Sequence, residues 1–331
     1  MKNKEVLITG GTGSLGKALT KALIPLEPKG IRIFSRSELN QFNMKQEFKN
    51  VDVPISYIIG DIRDRDRLTM AFKGVDYVVN AAAMKRIEVC ETDPLECVKT
   101  NIEGVSNVIY AALRNNVQKV LQVSTDKAVY PTTLYGASKK TAEDLIINAN
   151  VYSPMNPGSL ISTRFMAVRY GNVLGSNGSV LGIFLKQIKE GKKLTVTNPK
   201  MTRFWITLPD VCQFIIKTLQ NYEAGIHIPK MIGSKIEDLI HSLEEVNGMA
   251  LFYDLIPSQV NEKRHESLTT IEENPRLSKA ENRIIVNASA NIENHMSKYD
   301  ICPSNWTYNS EQQANFEDKA KLTEMIREII E

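Results

Sequence analysis

Through the first 170 residues, short apolar runs alternate with stretches of helical period, and few folds accept that alternation. The runs are Val6-Leu7-Ile8, Ile31-Arg32-Ile33-Phe34, Tyr57-Ile58-Ile59, Asp76-Tyr77-Val78-Val79, 119–123 and 165–170. Segments of helical period fall at 14–24, 38–48, 94–113 and 134–148, with Pro25 stopping the first and Pro94 in the opening turn of the third. Strands that are apolar along their length and separated by helices predict a parallel sheet covered on both faces. The fold class is therefore α/β: a Rossmann-like doubly wound sheet with a smaller C-terminal lobe. Residues 1–171 are expected to form the sheet domain, with a helix near 208–221 returning to it. Residues 172–331 are expected to form mainly the substrate-binding lobe, with helices at 180–189 and 319–330 and a polar, turn-rich stretch at 258–315.

Composition removes several function classes. The 331 residues carry 41 Lys plus Arg against 38 Asp plus Glu, a net charge of +3 that leaves no footprint for nucleic acid. No apolar run approaches the roughly 18 residues that span a bilayer, and the first residues show no signal-peptide core, so a cytoplasmic location is expected. Cys90, Cys97, Cys212 and Cys302 have neither CxxC nor metal-ligand spacing. They read as idle thiols in a reducing compartment.

The first apolar run is closed by Thr9-Gly10-Gly11-Thr12-Gly13-Ser14-Leu15-Gly16, between a strand and a helix. Gly10, Gly13 and Gly16 permit a tight turn and a close approach of backbone to a pyrophosphate at a helix N-terminus. That is a dinucleotide site. The second run ends in Ser35-Arg36-Ser37-Glu38, where NAD-binding folds usually place an acid. A hydroxyl beside a guanidinium suits a 2′-phosphate instead, so NADP is expected over NAD. Asp61, after the third run, can reach the adenine amino group.

The chemistry centres on Ser124-Thr125-Asp126-Lys127, closing the fifth run, and Tyr135-Gly136-Ala137-Ser138-Lys139 on the next helix. Tyr135 and Lys139, four apart, share a helical face. An ammonium there is expected to lower the tyrosine pKa and make it a base.

These motifs together resemble the extended short-chain dehydrogenase/reductases. Ala81-Ala82-Ala83-Met84-Lys85, Lys99-Thr100-Asn101, Ser124-Thr125-Asp126-Lys127, Arg169-Tyr170-Gly171-Asn172-Val173 and Met201-Thr202-Arg203-Phe204-Trp205 are similar to those of the inverting UDP-N-acetylglucosamine 4,6-dehydratases. The resemblance runs from Val6 to Glu266 and more loosely to Trp306. It implies a tightly bound, recycled NADP held by Gly10, Thr12, Gly13, Ser14, Leu15, Gly16, Ser35, Arg36, Glu38, Asp61, Ile62, Ala81, Ala82, Ala83, Lys85, Asn101, Tyr135 and Lys139. It implies UDP-GlcNAc as substrate, bound by Lys85, Asn172, Val173, Val180, Arg203, Gln259 and Glu262. The implied catalytic set is Thr125, Asp126, Lys127, Tyr135 and Lys139. Tyr135 would take the proton from the carbon 4 hydroxyl. Lys127, with a depressed pKa, would take the carbon 5 proton. Asp126, with a raised pKa, would protonate the hydroxyl leaving carbon 6. A lysine at 127, where retaining enzymes of this kind carry Glu, marks inversion. The resemblance also implies a homodimer or homohexamer, paired through helices 94–113 and 134–148. One departure stands out: the family's Arg-Pro-Gly-Glu-Lys-x-His-Glu appears as Gln259-Val260-Asn261-Glu262-Lys263-Arg264-His265-Glu266, with Gln259 in place of the phosphate-binding arginine. A UDP-sugar 4-epimerase, a retaining dehydratase or a non-catalytic NADP sensor are the alternatives.

Overall fold

The computed structural model describes residues 1–153, 162–176, 178–258, 261–280, 282–288, 300–303, 305–314 and 316–330. Its main sheet begins with six parallel strands: β1 (Glu5–Thr9), β2 (Gly30–Ser35), β3 (Ile55–Ile59), β4 (Tyr77–Asn80), β5 (Lys119–Val123) and β6 (Arg164–Val168). Their order, 3-2-1-4-5-6, is that of a doubly wound nucleotide-binding fold, with the strand order reversing between β1 and β4. The central strands are buried on both faces, which explains their uninterrupted apolar runs, with Val6, Leu7 and Ile8 all fully buried, while the edge strand β3 is only partly covered.

The helices between these strands are α1 (Ser14–Leu23), α2 (Glu38–Glu47), α3 (Arg65–Ala71), α4 (Ile87–Thr92), α5 (Pro94–Val98), α6 (Gly104–Arg114) and α7 (Leu134–Asn148). The helix expected over 94–113 exists but is not uniform. A π-helical segment, Lys99–Glu103, joins α5 to α6 and turns Thr100 and Asn101 inward. Such widened turns recur at functional sites. The sequence reading missed α3, because its seven residues bury only Leu68 and Ala71.

Beyond residue 171 the chain adds β7 (Asn172–Val173), α8 (Val180–Lys189), β8 (Leu194–Val196), β9 (Thr202–Ile206), α9 (Leu208–Gln220), β10 (Gly225–Pro229), β11 (Ile232–Lys235), α10 (Ile236–Asn247) and β12 (Tyr253–Leu255). It closes with β13 (Leu277–Lys279), β14 (Arg283–Asn287), β15 (Asp300–Ile301), α11 (Ser310–Gln313) and α12 (Phe316–Ile330). Late strands rejoin the main sheet: β10 pairs parallel with β6, and β14, β13 and β15 follow antiparallel. Helix α9 packs on α1, on the sheet. A second apolar core, with Leu181, Phe184, Trp205, Leu239 and Leu322, lies under α8, α10 and α12. The lobe is thus built on small sheets, β11-β9-β7 and β12-β8, with its own core.

One buried cluster ties lobe to sheet. Arg169 follows β6 and is fully buried. Its guanidinium donates to both carboxylate oxygens of Glu143 on α7, at 2.9 and 2.7 Å, and to both of Glu273, at 2.9 and 2.8 Å. It also donates to the Leu268 carbonyl.

Candidate active site

The turn after β1 sets the site. Gly10 has φ +63°, and a Cβ there would lie 2.9 Å from Ala82. Gly16, in the first turn of α1, faces the Gly11 carbonyl so closely that no side chain fits. Gly13 caps α1 without a side-chain hydrogen bond, so its first N–H groups point into the adjoining cavity. Thr9 accepts a hydrogen bond from Ala82 N, which brings segment 81–83 across the opening.

That cavity, of about 510 Å³, lies in the crevice at the carboxyl ends of β1 and β4. Gly10, Thr12, Gly13, Ser14, Leu15, Gly16, Ser35, Arg36, Asp61, Ile62, Ala81, Ala82, Ala83, Lys85, Thr125, Tyr135 and Lys139 all line it. Two expected cofactor residues do not. Glu38 is exposed on α2. Asn101 acts from behind: its side chain accepts from Met84 N at 2.8 Å and donates to Met84 O at 3.0 Å, pinning the 81–86 loop. Val173, expected against the sugar nucleotide, lines this cavity instead, because β7 starts at its rim. Sequence reasoning missed Ser37 and Asn40, which also line it. The signal was present: Ser37 is the N-cap of α2 and accepts from Asn40 N. Asp61 accepts a fork from Arg63 at 2.9 and 2.6 Å. Burial pushes its carboxyl up, but Arg63 and the charge of Arg36 outweigh that and hold it below the usual range.

A second cavity, of about 370 Å³, opens toward the lobe and is lined by Lys127, Asn172, Val180, Met201, Arg203, Trp205, Glu262, Lys263 and Glu266, among others. Arg203 is buried on β9, and its guanidinium donates to Glu262 at 3.2 Å. His265 turns away from the cavity, with Nδ1 2.8 Å from Thr202 Oγ1. Gln259 lies outside the described residues.

Of the catalytic candidates, Thr125, Tyr135 and Lys139 line the larger cavity and Lys127 the smaller. Thr125 donates to Asp126 Oδ1 at 2.8 Å, and Lys127 Nζ donates to the same oxygen at 3.1 Å. Asp126 is 1% exposed and its other oxygen, Oδ2, makes no hydrogen bond within the protein. Thr133 caps α7, placing Tyr135 and Lys139 in its first two turns, both buried.

Two electrostatic expectations are reversed. Lys127 is not depressed. Burial opposes its charge, but Asp126 and Glu266, at 3.1 and 3.6 Å, outweigh burial and hold the ammonium above the ordinary lysine range. Tyr135 is not lowered by Lys139. Burial pushes it up to about 12, and the cation that opposes this is Lys127. Lys139 instead donates to the Val123 carbonyl at 2.7 Å, and burial brings it down to about 8. Spacing on a helix shows who shares a face, not which charges cross from another element.

Residues 6–288 match the family described as Polysaccharide biosynthesis protein. The chain belongs to that family. A Campylobacter jejuni relative named UDP-N-acetylglucosamine 4,6-dehydratase (inverting) is 41% identical over 90% of this chain and 87% of its own. A Rickettsia prowazekii relative named UDP-glucose 4-epimerase is 40% identical over 82% of this chain and 79% of its own. The crystal structure of Pen from Bacillus thuringiensis superposes with a TM-score of 0.86 at 36% identity, covering 99% of this chain and 98% of that one. The four cysteines are buried and unpaired. Among the described residues, no helix is long and apolar enough to cross a membrane.

Proposed function

We propose that the protein is an NADP-dependent UDP-N-acetylglucosamine 4,6-dehydratase that inverts carbon 5. The observation that carries the reading is the Asp126–Lys127 pair, 3.1 Å apart, with Lys127 lining the smaller cavity and Tyr135 the larger. Loss of water across two neighbouring carbons needs one group to take a proton and another to give one. A 4-epimerase needs neither at carbons 5 and 6.

The larger cavity fits a dinucleotide. Its floor is the N-terminus of α1, and two buried hydroxyls in it, of Thr100 and Ser124, make no hydrogen bond within the protein. Ser35, Arg36, Ser37 and Asn40 would hold a 2′-phosphate, which favours NADP. A nicotinamide ring bound there supplies a reversible hydride acceptor. Tyr135 takes the carbon 4 hydroxyl proton, aided by Lys139 and Thr125. Lys127 removes the proton that the new ketone acidifies at carbon 5. Asp126 gives a proton to the oxygen leaving carbon 6. Asn172, Val180 and Arg203 would receive the nucleotide sugar. Residues 1–171 with α9 would hold the dinucleotide, and 172–331 mainly the substrate. Pairing into a homodimer or homohexamer through α5, α6 and α7 is supported by Leu95 and Tyr110, 70% and 42% exposed. A cytoplasmic site of action follows from the substrate.

The test is the fate of UDP-GlcNAc, followed by NMR. The wild type should yield a 4-keto-6-deoxy sugar with one deuterium at carbon 5 in heavy water. Lys127→Ala should lose about a hundredfold to ten-thousandfold in turnover and accumulate reduced cofactor. A variant that dehydrates at wild-type rate makes Lys127 a bystander. The second reading is a 4-epimerase, favoured by the name of the Rickettsia relative. It predicts a carbon 4 epimer with no loss of water.

A further inference from the structure

Glu266 has no part in the chemistry derived above, yet it lines the smaller cavity and is only 3% exposed. Its Oε1 lies 3.6 Å from Lys127 Nζ, the ammonium that Asp126 also holds at 3.1 Å. Its Oε2 lies 3.6 Å from Lys263 Nζ and accepts no hydrogen bond. Lys263 also donates to the Val129 carbonyl at 2.6 Å. Arg203 also faces Glu266 but is paired with Glu262. The remaining neighbour, His265, points to Thr202 and Glu311. Two buried carboxyls, Asp126 and Glu266, therefore share the Lys127 ammonium, while Lys263 and Arg203 also act on Glu266.

The chemistry needs a neutral amine and a neutral acid at the same moment. One transfer makes both: the Lys127 N–H bond breaks, an Asp126 Oδ1–H bond forms, and the pair becomes an amine and a carboxylic acid. After the amine takes the carbon 5 proton and the acid gives its proton to the departing oxygen, the ion pair is restored. A second carboxylate 3.6 Å from Lys127 would oppose the transfer by stabilising the ammonium. An anionic diphosphate arriving at Arg203 adds negative charge to the same pocket.

Resting on the dehydratase reading, we propose that Glu266 is a positioning residue that takes up a proton when the anionic sugar nucleotide binds. Lys127 then faces one carboxylate rather than two and can hand its proton to Asp126. Burial, followed by the charge of Asp126, already moves the Glu266 carboxyl above the ordinary range, against the pull of Lys127, Arg203 and Lys263.

The experiment uses the holoenzyme and UDP-GlcNAc, whose diphosphate does not titrate near neutrality. Calorimetric binding to a Tyr135→Phe background, in buffers of different ionisation enthalpy, reads protons taken up per site. Uptake should be present above neutral pH with Glu266 and lost with Glu266→Gln. In the active enzyme, kcat should fall as pH rises through the Glu266 titration, and E266Q should remove that fall, giving several-fold more turnover than wild type at alkaline pH. Equal uptake with and without Glu266 overturns the proposal, as does a hundredfold loss of kcat in E266Q at every pH, which would mean that the carboxylate itself is needed. If E266Q does not fold, infrared difference spectra of the wild type decide: a buried protonated carboxyl must appear on substrate binding, and its absence overturns the idea. Proton uptake is read without turnover. An enzyme that binds UDP-GlcNAc but makes no 4-keto product refutes the dehydratase reading and leaves this measurement standing.

Discussion

The larger cavity is made of backbone: the N–H groups of α1, three alanines, and short hydroxyls at Thr12, Ser35 and Thr100. The smaller one is made of long charged side chains, and most are already engaged. Arg203 holds Glu262, Lys127 holds Asp126 and faces Glu266, and Lys263 holds a carbonyl. A ligand of the first cavity meets the start of α1 and two hydroxyls, of Thr100 and Ser124, that make no hydrogen bond within the protein. A ligand of the second must exchange partners with the protein. The first arrangement favours a group that stays; the second favours one that comes and goes, because each broken ion pair offsets part of the binding energy.

Changing the backbone should have the largest effect. Gly16→Ala forces the glycine turn away from α1, at a cost of about 1–3 kcal/mol of fit, or up to about a hundredfold in dinucleotide affinity. Titration of the dinucleotide by fluorescence measures this, and UDP-GlcNAc affinity measured alongside should hold. If both fall together, the two cavities are not independent and the contrast fails. A smaller effect is expected at Arg36, which is 64% exposed. Arg36→Ala should weaken NADP by about tenfold, ~1.4 kcal/mol, and barely change NAD. Equal losses would remove its role at the 2′-phosphate. The smallest effect sharpens the comparison in the opposite direction. Glu262→Gln frees Arg203 from its ion pair, so UDP-GlcNAc should bind up to a few-fold more tightly. Weaker binding would show that Glu262 touches the ligand itself.

The same contrast explains what the sequence could show. The glycine turn and the 81–83 segment are local, and each is legible because one stretch of chain builds it; the alternation of strands and helices announced a parallel sheet but not its strand order. Residues 125–127, 135 and 139 were also legible, since a turn and a helix cap place them. The protonation of Lys127 was not, because the carboxylate of Asp126 beside it, and then Glu266 from a distant segment, outweigh burial and reverse the direction that burial alone would give. Arg169 likewise looked like part of a motif and proved to be a junction whose partners, Glu143 and Glu273, lie on separate segments. Helix α3 escaped because so short and polar a segment carries no period to read. Gly10 and Gly16 could be named from spacing, yet the space that excludes a side chain at each is set by other chain segments.

The turn that carries Asp126 and Lys127 runs on into residues 128–133, and the lobe grips that stretch at several points. Lys263 donates to the Val129 carbonyl, Ile271 N donates to the Tyr130 hydroxyl at 2.9 Å, and Thr132 donates to the Asn261 carbonyl at 3.0 Å. Tyr130 sits among them with φ +45°, a left-handed backbone that the surroundings must hold in place. With the Arg169 junction behind them, these ties fasten the lobe to the sheet at the catalytic turn. Swinging the lobe open there would break all of them together, whereas parting Arg203 from Glu262 breaks a single ion pair.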